Sequence, residues 1–140
     1  MLATAFMYLF VAKYSGVNGG LVWAKTLGGS GSERGNGVVV DVNNDVIVTG
    51  NFTNTVDFGN GGLTSAGSYD IFVAKYSGRN GAAVWSKRFG GATSDSGMAI
   101  AIDSASDLMV TGIFSGLVGF GYGPLTSAGA DDIFLLKILP

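Results

Sequence analysis

Residues 46–52 read VIVTGNF, and residues 108–114 read LMVTGIF, 62 positions later. Sliding the whole chain by that interval aligns FVAKYSGVNGGLVWAK (10–25) with FVAKYSGRNGAAVWSK (72–87). It also aligns LGGSGSERG (27–35) with FGGATSDSG (89–97) and LTSAGSYDIF (63–72) with LTSAGADDIF (125–134), without a gap. A gapless repeat of this length marks a modular fold whose units bury their faces by stacking on one another.

Each unit holds four short β-type segments bounded by Gly, Asn, Asp or Ser. GVVVDV (37–42) and GMAIAID (97–103) are nearly continuous apolar runs, the pattern of strands covered on both faces. The VTG segments follow them after the tight turns NND and ASD, which predicts a hairpin. DIFVAKYSG (70–78), with its copies FVAKYSG (10–16) and DIFLLKIL (132–139), comes next. Asn-Gly at 18–19 and at 80–81 then leads into LVWAKTLG and AAVWSKRFG, because both residues of this dipeptide tolerate positive φ. In the Trp strand, alternation sets Leu21, Trp23, Lys25 and Leu27 on one side.

Four antiparallel up-and-down strands with Gly-rich connections describe a β-propeller blade. The fold class expected is therefore all-β, with two blades per chain in one domain spanning 1–140. The repeat units are approximately 10–71 and 72–133, with a surplus strand at 134–140. Labelling the apolar strand A (innermost), the VTG strand B, the FVAK strand C and the Trp strand D, the chain reads C, D, A, B, C, D, A, B, C. Two isolated blades would expose apolar flanks and unpaired strand edges. Head-to-tail association into a closed ring hides both, and six blades from a homotrimer is the expected arrangement, with an eight-bladed tetramer as the alternative. One end copy of strand C, 6–14 or 132–138, is then redundant.

The aligned segments resemble the bacterial SBBP repeat, a family named for an expected seven-bladed β-propeller. The resemblance rests on DIFVAKYS, the Trp strand, the LGGSGS glycine run, the apolar strand ending in Asp, and VIVTGNF with its VDFG continuation, over roughly residues 10–138. It implies an exported or surface-associated bacterial protein without a catalytic residue to carry over. MLATAFMYL (1–9) departs from the corresponding LTSAGSYDI, and two repeats fall short of the roughly four to eight blades of a closed propeller. Fragments of a longer propeller and engineered repeat proteins share these features.

Composition removes several chemistries. The chain has 47% hydrophobic residues and 13% charged residues, so it buries a core rather than staying disordered. Scattered Lys and Arg with a net charge of −2 give no footprint for nucleic acid. Without cysteine or histidine, thiolate sites, histidine-based metal sites and Ser-His-Asp triads are all excluded. MLATAFMYLFVA (1–12) is apolar but lacks a basic flank and a cleavage site, so no signal peptide is read there, and no run is long enough to span a bilayer as a helix.

Asp41, Asn43 and Asp45 open like a calcium loop, yet Val46 fills the sixth position and no glutamate stands at the twelfth. An Asx-stabilised turn is the expected role. The glycine runs 28–37 and 90–99 lack phosphate-loop spacing and are expected to carry the chain from an outer strand to the next inner one, where positive φ and close packing favour glycine. Glu33, Arg34 and Asp95 on them are expected to be solvated loop charges. Trp23, Trp85, Tyr14 and Tyr76 are expected to pack between blades. Asn51-Phe-Thr53 is a glycosylation sequon, relevant only in a eukaryotic secretory host.

No cofactor or metal is expected. Candidate ligand contacts are Glu33, Arg34, Asn36, Asp57, Tyr69, Asp95 and Tyr122, on loops (28–37, 51–69, 90–99, 113–131) that share one face of a propeller. The leading function is a non-catalytic binding or scaffold module, its ligand a glycan or another protein. The alternative is a hydrolase or lyase using converging carboxylates on the loop face: a glycosidase-like acid and base would need Glu33 with an Asp, or two Asp residues, at about 5–10 Å, with Asp57, Asp95 and the Asp131-Asp132 pair available, which the spacing does not demand. A purely structural repeat protein is the third class.

Overall fold

The computed structural model describes residues 7–140, and all regular structure among them is β-strand in antiparallel pairs. The expectations that fall on residues 1–6, the apolar leader-like start and the first part of the departure from the repeat, lie outside the described residues.

β1 (Leu9–Tyr14) and β2 (Leu21–Gly29) form an N-terminal hairpin. β3 (Glu33–Val40) and β4 (Val46–Phe52) open the central sheet. A small hairpin, β5 (Thr55–Asp57) with β6 (Gly62–Thr64), then leads to β7 (Asp70–Tyr76) and β8 (Ala83–Phe89), which complete that sheet in the order β3-β4-β7-β8. The pattern recurs in the C-terminal sheet. There β9 (Ser96–Ile102) and β10 (Leu108–Phe114) precede a second small hairpin, β11 (Leu117–Gly119) with β12 (Pro124–Thr126). β13 (Asp132–Ile138) then joins the far side of β10. The boundary between the repeat units cuts through the central sheet, which takes two strands from each.

The central sheet is buried on both faces because its strands alternate two apolar sets. Phe72, Ala74 and Tyr76 meet Leu9, Val11, Trp23 and Leu27 of the N-terminal hairpin. Ile47, Ile71 and Val73 point the other way, onto Val110, Phe134 and Leu136 of the C-terminal sheet. The segments read as loops between strands B and C hold the small hairpins, and each sends one phenylalanine into the core. Phe58 packs at 5.5 Å from Phe52 and 4.5 Å from Phe72, and Phe120 at 5.6 Å from Phe114 and 4.9 Å from Phe134. Burying one such ring is worth about 1.5–3 kcal/mol.

The recurrence of Val-Thr-Gly has a packing cause at each position. Val48 and Val110 lie in the two cores. Thr49 and Thr111 donate through Oγ1 to the carbonyls of Phe72 and Phe134, at 2.9 and 2.8 Å. At Gly50 a Cβ would sit 1.7 Å from the Arg34 carbonyl oxygen, and at Gly112 1.9 Å from that of Ser96, so only glycine fits where β3 and β9 bulge.

Three local expectations differ from what is observed. β3 was expected to be covered on both faces, but Val38 and Val40 are 61% and 49% exposed, because no strand pair lies beside the N-terminal hairpin to cover them among the described residues. In the Asn-Gly connections only Gly19 and Gly81 take positive φ, and the first loop runs over six residues, closed by the Gly19 N–H to Ser15 carbonyl bond at 2.9 Å. In the 28–37 run the glycines answer close approach rather than positive φ: a Cβ on Gly29 would lie 2.0 Å from the Thr55 carbonyl oxygen.

Gly50→Ala should cost about 1–3 kcal/mol in urea unfolding, the usual range for forcing atoms into a packed interior. Gly119→Ala, which meets no atom within 4 Å, should be nearly neutral.

Candidate functional site

The chemistry-bearing residues concentrate where β2 passes into β3 and β8 into β9. Asp95, expected to be solvated, is 1% exposed. It joins three segments, donating its own N–H to the Tyr69 carbonyl at 2.7 Å and accepting the Gly91 N–H on Oδ2 at 2.9 Å and the Ser115 N–H on Oδ1 at 3.0 Å. Burial raises its pKa; the two N–H donors oppose the rise, the Asp70 charge adds to it, and Arg88 lowers it. Asp70 is fully buried and accepts Arg88 Nη1 and the Ala66 N–H (3.0 Å) on one oxygen.

Glu33 occupies the repeat position of Asp95 and is also buried, 2% exposed, another departure from the solvated reading. Neither carboxylate oxygen has a hydrogen-bond partner among the described residues. Burial raises its pKa, and the neighbouring Gly29 N–H opposes the rise without closing an ordinary hydrogen bond. Arg34, the next residue, is exposed as expected.

Asn36 does not face a ligand-ready loop but ties the central sheet to the C-terminal one. Its Nδ2 donates to the Gly97 carbonyl at 2.8 Å and approaches Ser96 Oγ at 3.4 Å. Asn51 Nδ2 donates to the same Ser96 Oγ at 2.9 Å, while its Oδ1 is buried with no partner among the described residues. Tyr69 is half-buried and shares a cleft of about 240 Å³ with Asn51, Asp95, Ser96, Met98 and Asp131. The structure thus brings Tyr69 and Asp95 of the candidate set together, beside Asn36's partner Ser96.

The remaining candidates lie elsewhere. Asp57 is exposed on β5 and caps its own turn, accepting the Gly59 and Gly61 N–H groups at 2.7 and 3.1 Å. Tyr122 is 96% exposed between β11 and β12. Trp23 packs in the first core and donates Nε1 to the Gly78 carbonyl at 3.2 Å, and Trp85 packs against the second core. Tyr76 is buried but its equivalent Tyr14 is 60% exposed, so the expected packing role holds for only one of that pair.

At the opposite end of the strands, Asp41 Oδ1 accepts the Asn43 and Asp45 N–H groups at 2.8 and 2.9 Å, an Asx turn, while Oδ2 takes Lys75 Nζ at 2.7 Å. Burial opposes its ionisation, but Lys75 and these N–H donors outweigh it and lower the Asp41 pKa. The second unit repeats the device with Asp103, Asp107 and Lys137, whose Nζ lies 2.5 Å from Asp107. Sequence reading passed over these lysines and the Asp70–Arg88 pair. The signal available was their recurrence, Lys13, Lys75 and Lys137 standing at equal intervals.

No helix among the described residues is long and apolar enough to cross a membrane. In comparisons with known proteins, no family model and no curated protein matches the chain.

The buried carboxyls give a pH signature. Glu33 and Asp95 have folded pKa values above their unfolded ones, so the folded state holds more protons just above the ordinary carboxylate range and stability falls as pH rises there. The pKa of Asp41 is lowered and that of Lys75 raised, placing their contributions below and above that window. Thermal melts should therefore show Tm rising as pH drops from neutral towards the ordinary carboxylate range, and Glu33→Gln should reduce that slope to the share left by Asp95.

Proposed function

We propose that this chain is a non-catalytic β-propeller scaffold that closes head-to-tail with copies of itself and presents its loop end for recognition. One observation carries the reading. Val38 and Val40 stand exposed over a groove of about 380 Å³ bordered by Leu9, Phe10, Val11 and Ala12, while their repeat equivalents Ile100 and Ile102 pack on the preceding sheet. The groove is the place that a β9–β10 pair would fill. Met109 and Thr111 on the outer side of β10 are half-buried, whereas their equivalents Ile47 and Thr49 are 1% and 0% exposed under the next sheet. Each chain end thus carries one half of a contact that the chain already makes internally, the condition for a heterologous, ring-forming interface.

The four-stranded up-and-down order of the central sheet supports the blade reading, as does the approach of its first strand to the first strand of the next sheet, where a Cβ on Gly37 would lie 3.1 Å from Ile100 Cγ2. The likeness to SBBP repeats agrees with it and favours an exported bacterial setting. Two blades per chain make six in a trimer or eight in a tetramer, and the trimer is the arrangement we favour. The cleft around Tyr69 and Asp131, with Asn51 Oδ1 unpartnered among the described residues, suits a glycan or protein ligand better than acid–base chemistry, since its buried carboxylate, Asp95, already accepts two backbone N–H groups.

Light scattering should give about 43 kDa, three times the 14.3 kDa chain. Val38→Glu, which puts a charge on a residue exposed in the single chain, should reduce this to the mass of one chain without loss of the β-sheet circular dichroism signal. A wild-type mass of one chain at micromolar concentration would overturn the reading.

A further inference from the structure

Closing such a ring leaves two strands competing for one place. In the shared sheet β10 can keep β13 at its edge, or it can take β1 of the next copy, whose own outer edge is unpaired among the described residues. β1 and β13 are repeat equivalents two intervals apart, so Phe10 matches Phe134, Val11 matches Leu135 and Lys13 matches Lys137.

Three positions decide between them. At the end of the central sheet Asp70, Arg88 and Asp95 cluster: Arg88 pairs with Asp70, and the negative charge of Asp70 is felt at Asp95. Gly90 passes so closely that a Cβ on it would lie 2.4 Å from Asp70 Cγ. At the chain's start the same places hold Tyr8, Thr26 and Glu33. Gly28 passes Tyr8 as Gly90 passes Asp70, with a Cβ position 2.0 Å from the Tyr8 ring and 3.2 Å from Glu33 Oε2. If β13 took the place of β1 beside β2, Asp132 would enter the Tyr8 position. A second carboxylate would then face the buried Glu33, with Thr26 where the central sheet has its guanidinium. Two buried carboxylates without a cation between them are strongly disfavoured.

Keeping β1 avoids that clash and preserves the other contacts. The face formed by Phe10, Ala12 and Tyr14, with Phe10 and Tyr14 62% and 60% exposed, repeats Phe72, Ala74 and Tyr76, which are at most 1% exposed. Lys13 would stand over Asp103 and Asp107 where Lys137 stands now.

We propose, resting on the assembly reading above, that the shared sheet combines β9 and β10 of one copy with the intact β1–β2 hairpin of the next, so that β1 displaces β13. The chain has no cysteine, so engineered disulfides report unambiguously. Thr111 and Leu135 are directly opposed in the β10–β13 register, and Val11 would oppose Thr111 in the exchanged one. In Thr111→Cys/Leu135→Cys, oxidised while dilute, β13 is locked to β10. Light scattering should show at least a tenfold loss of the multimer, recovered on reduction. In Val11→Cys/Thr111→Cys, oxidation should produce covalent multimers on non-reducing gels. A locked variant that assembles as the wild type does, or a multimer whose Val11→Cys/Thr111→Cys form stays uncrosslinked, would overturn the strand exchange while leaving the ring intact. A wild type that remains a single chain would instead overturn the assembly reading itself.

Discussion

Burial of the central sheet between two others is the contact on which the molecule rests. A single four-stranded sheet with apolar residues on both faces would have no stable existence in water. Here Phe72 and Tyr76 lie against the N-terminal hairpin, and Ile71 and Val73 against the C-terminal sheet. The same alternation is written into β1 and β13, but there each strand has a neighbour on one side only. Phe10 and Tyr14 on the first, and Ile133 and Leu135 on the second, are therefore exposed.

The polar residues follow a different logic from the apolar framework. Framework positions match between repeats, whereas several polar ones do not: Glu33 answers to Asp95, Arg34 to Ser96, Asn36 to Met98 and Asn51 to Ile113. The bridge from Asn36 to Gly97 and from Asn51 to Ser96 thus exists at the join between the central and C-terminal sheets and has no repeat counterpart one interval on. Any recognition at the loop end would meet surfaces that differ from join to join, even in a symmetric assembly.

The architecture was legible because period-two alternation and turn residues survive in both copies. VIVTGNF and LMVTGIF became β4 and β10 within their quoted bounds, and the Trp segments became β2 and β8. The small hairpins were not legible. Their strands are three residues long and sit among glycines, too short for alternation to register. Glu33 and Asp95 were misread because a charge in a glycine-rich connection is ordinarily solvated. Their burial depends on segments far away in sequence, such as Ser115 lending its N–H to Asp95. Arg88 and Asp70 are 18 residues apart on neighbouring strands, and only the register joins them.

The two ends of the strands are built to different tolerances. At one, Asp41 fixes its turn through two N–H groups and is held by Lys75, and Asp103 with Asp107 and Lys137 repeats the clasp. At the other, β11 and β12 carry Leu117 and Leu125 outward, with Tyr122 on the turn between them, anchored by Val118 and Phe120 beneath. A foreign peptide spliced between Gly121 and Gly123 would hang from that aromatic root without disturbing a sheet. The clasped turns offer no such freedom, and an insertion there would unfasten Lys75 or Lys137. The fold therefore has one rim open to diversification and one closed to it.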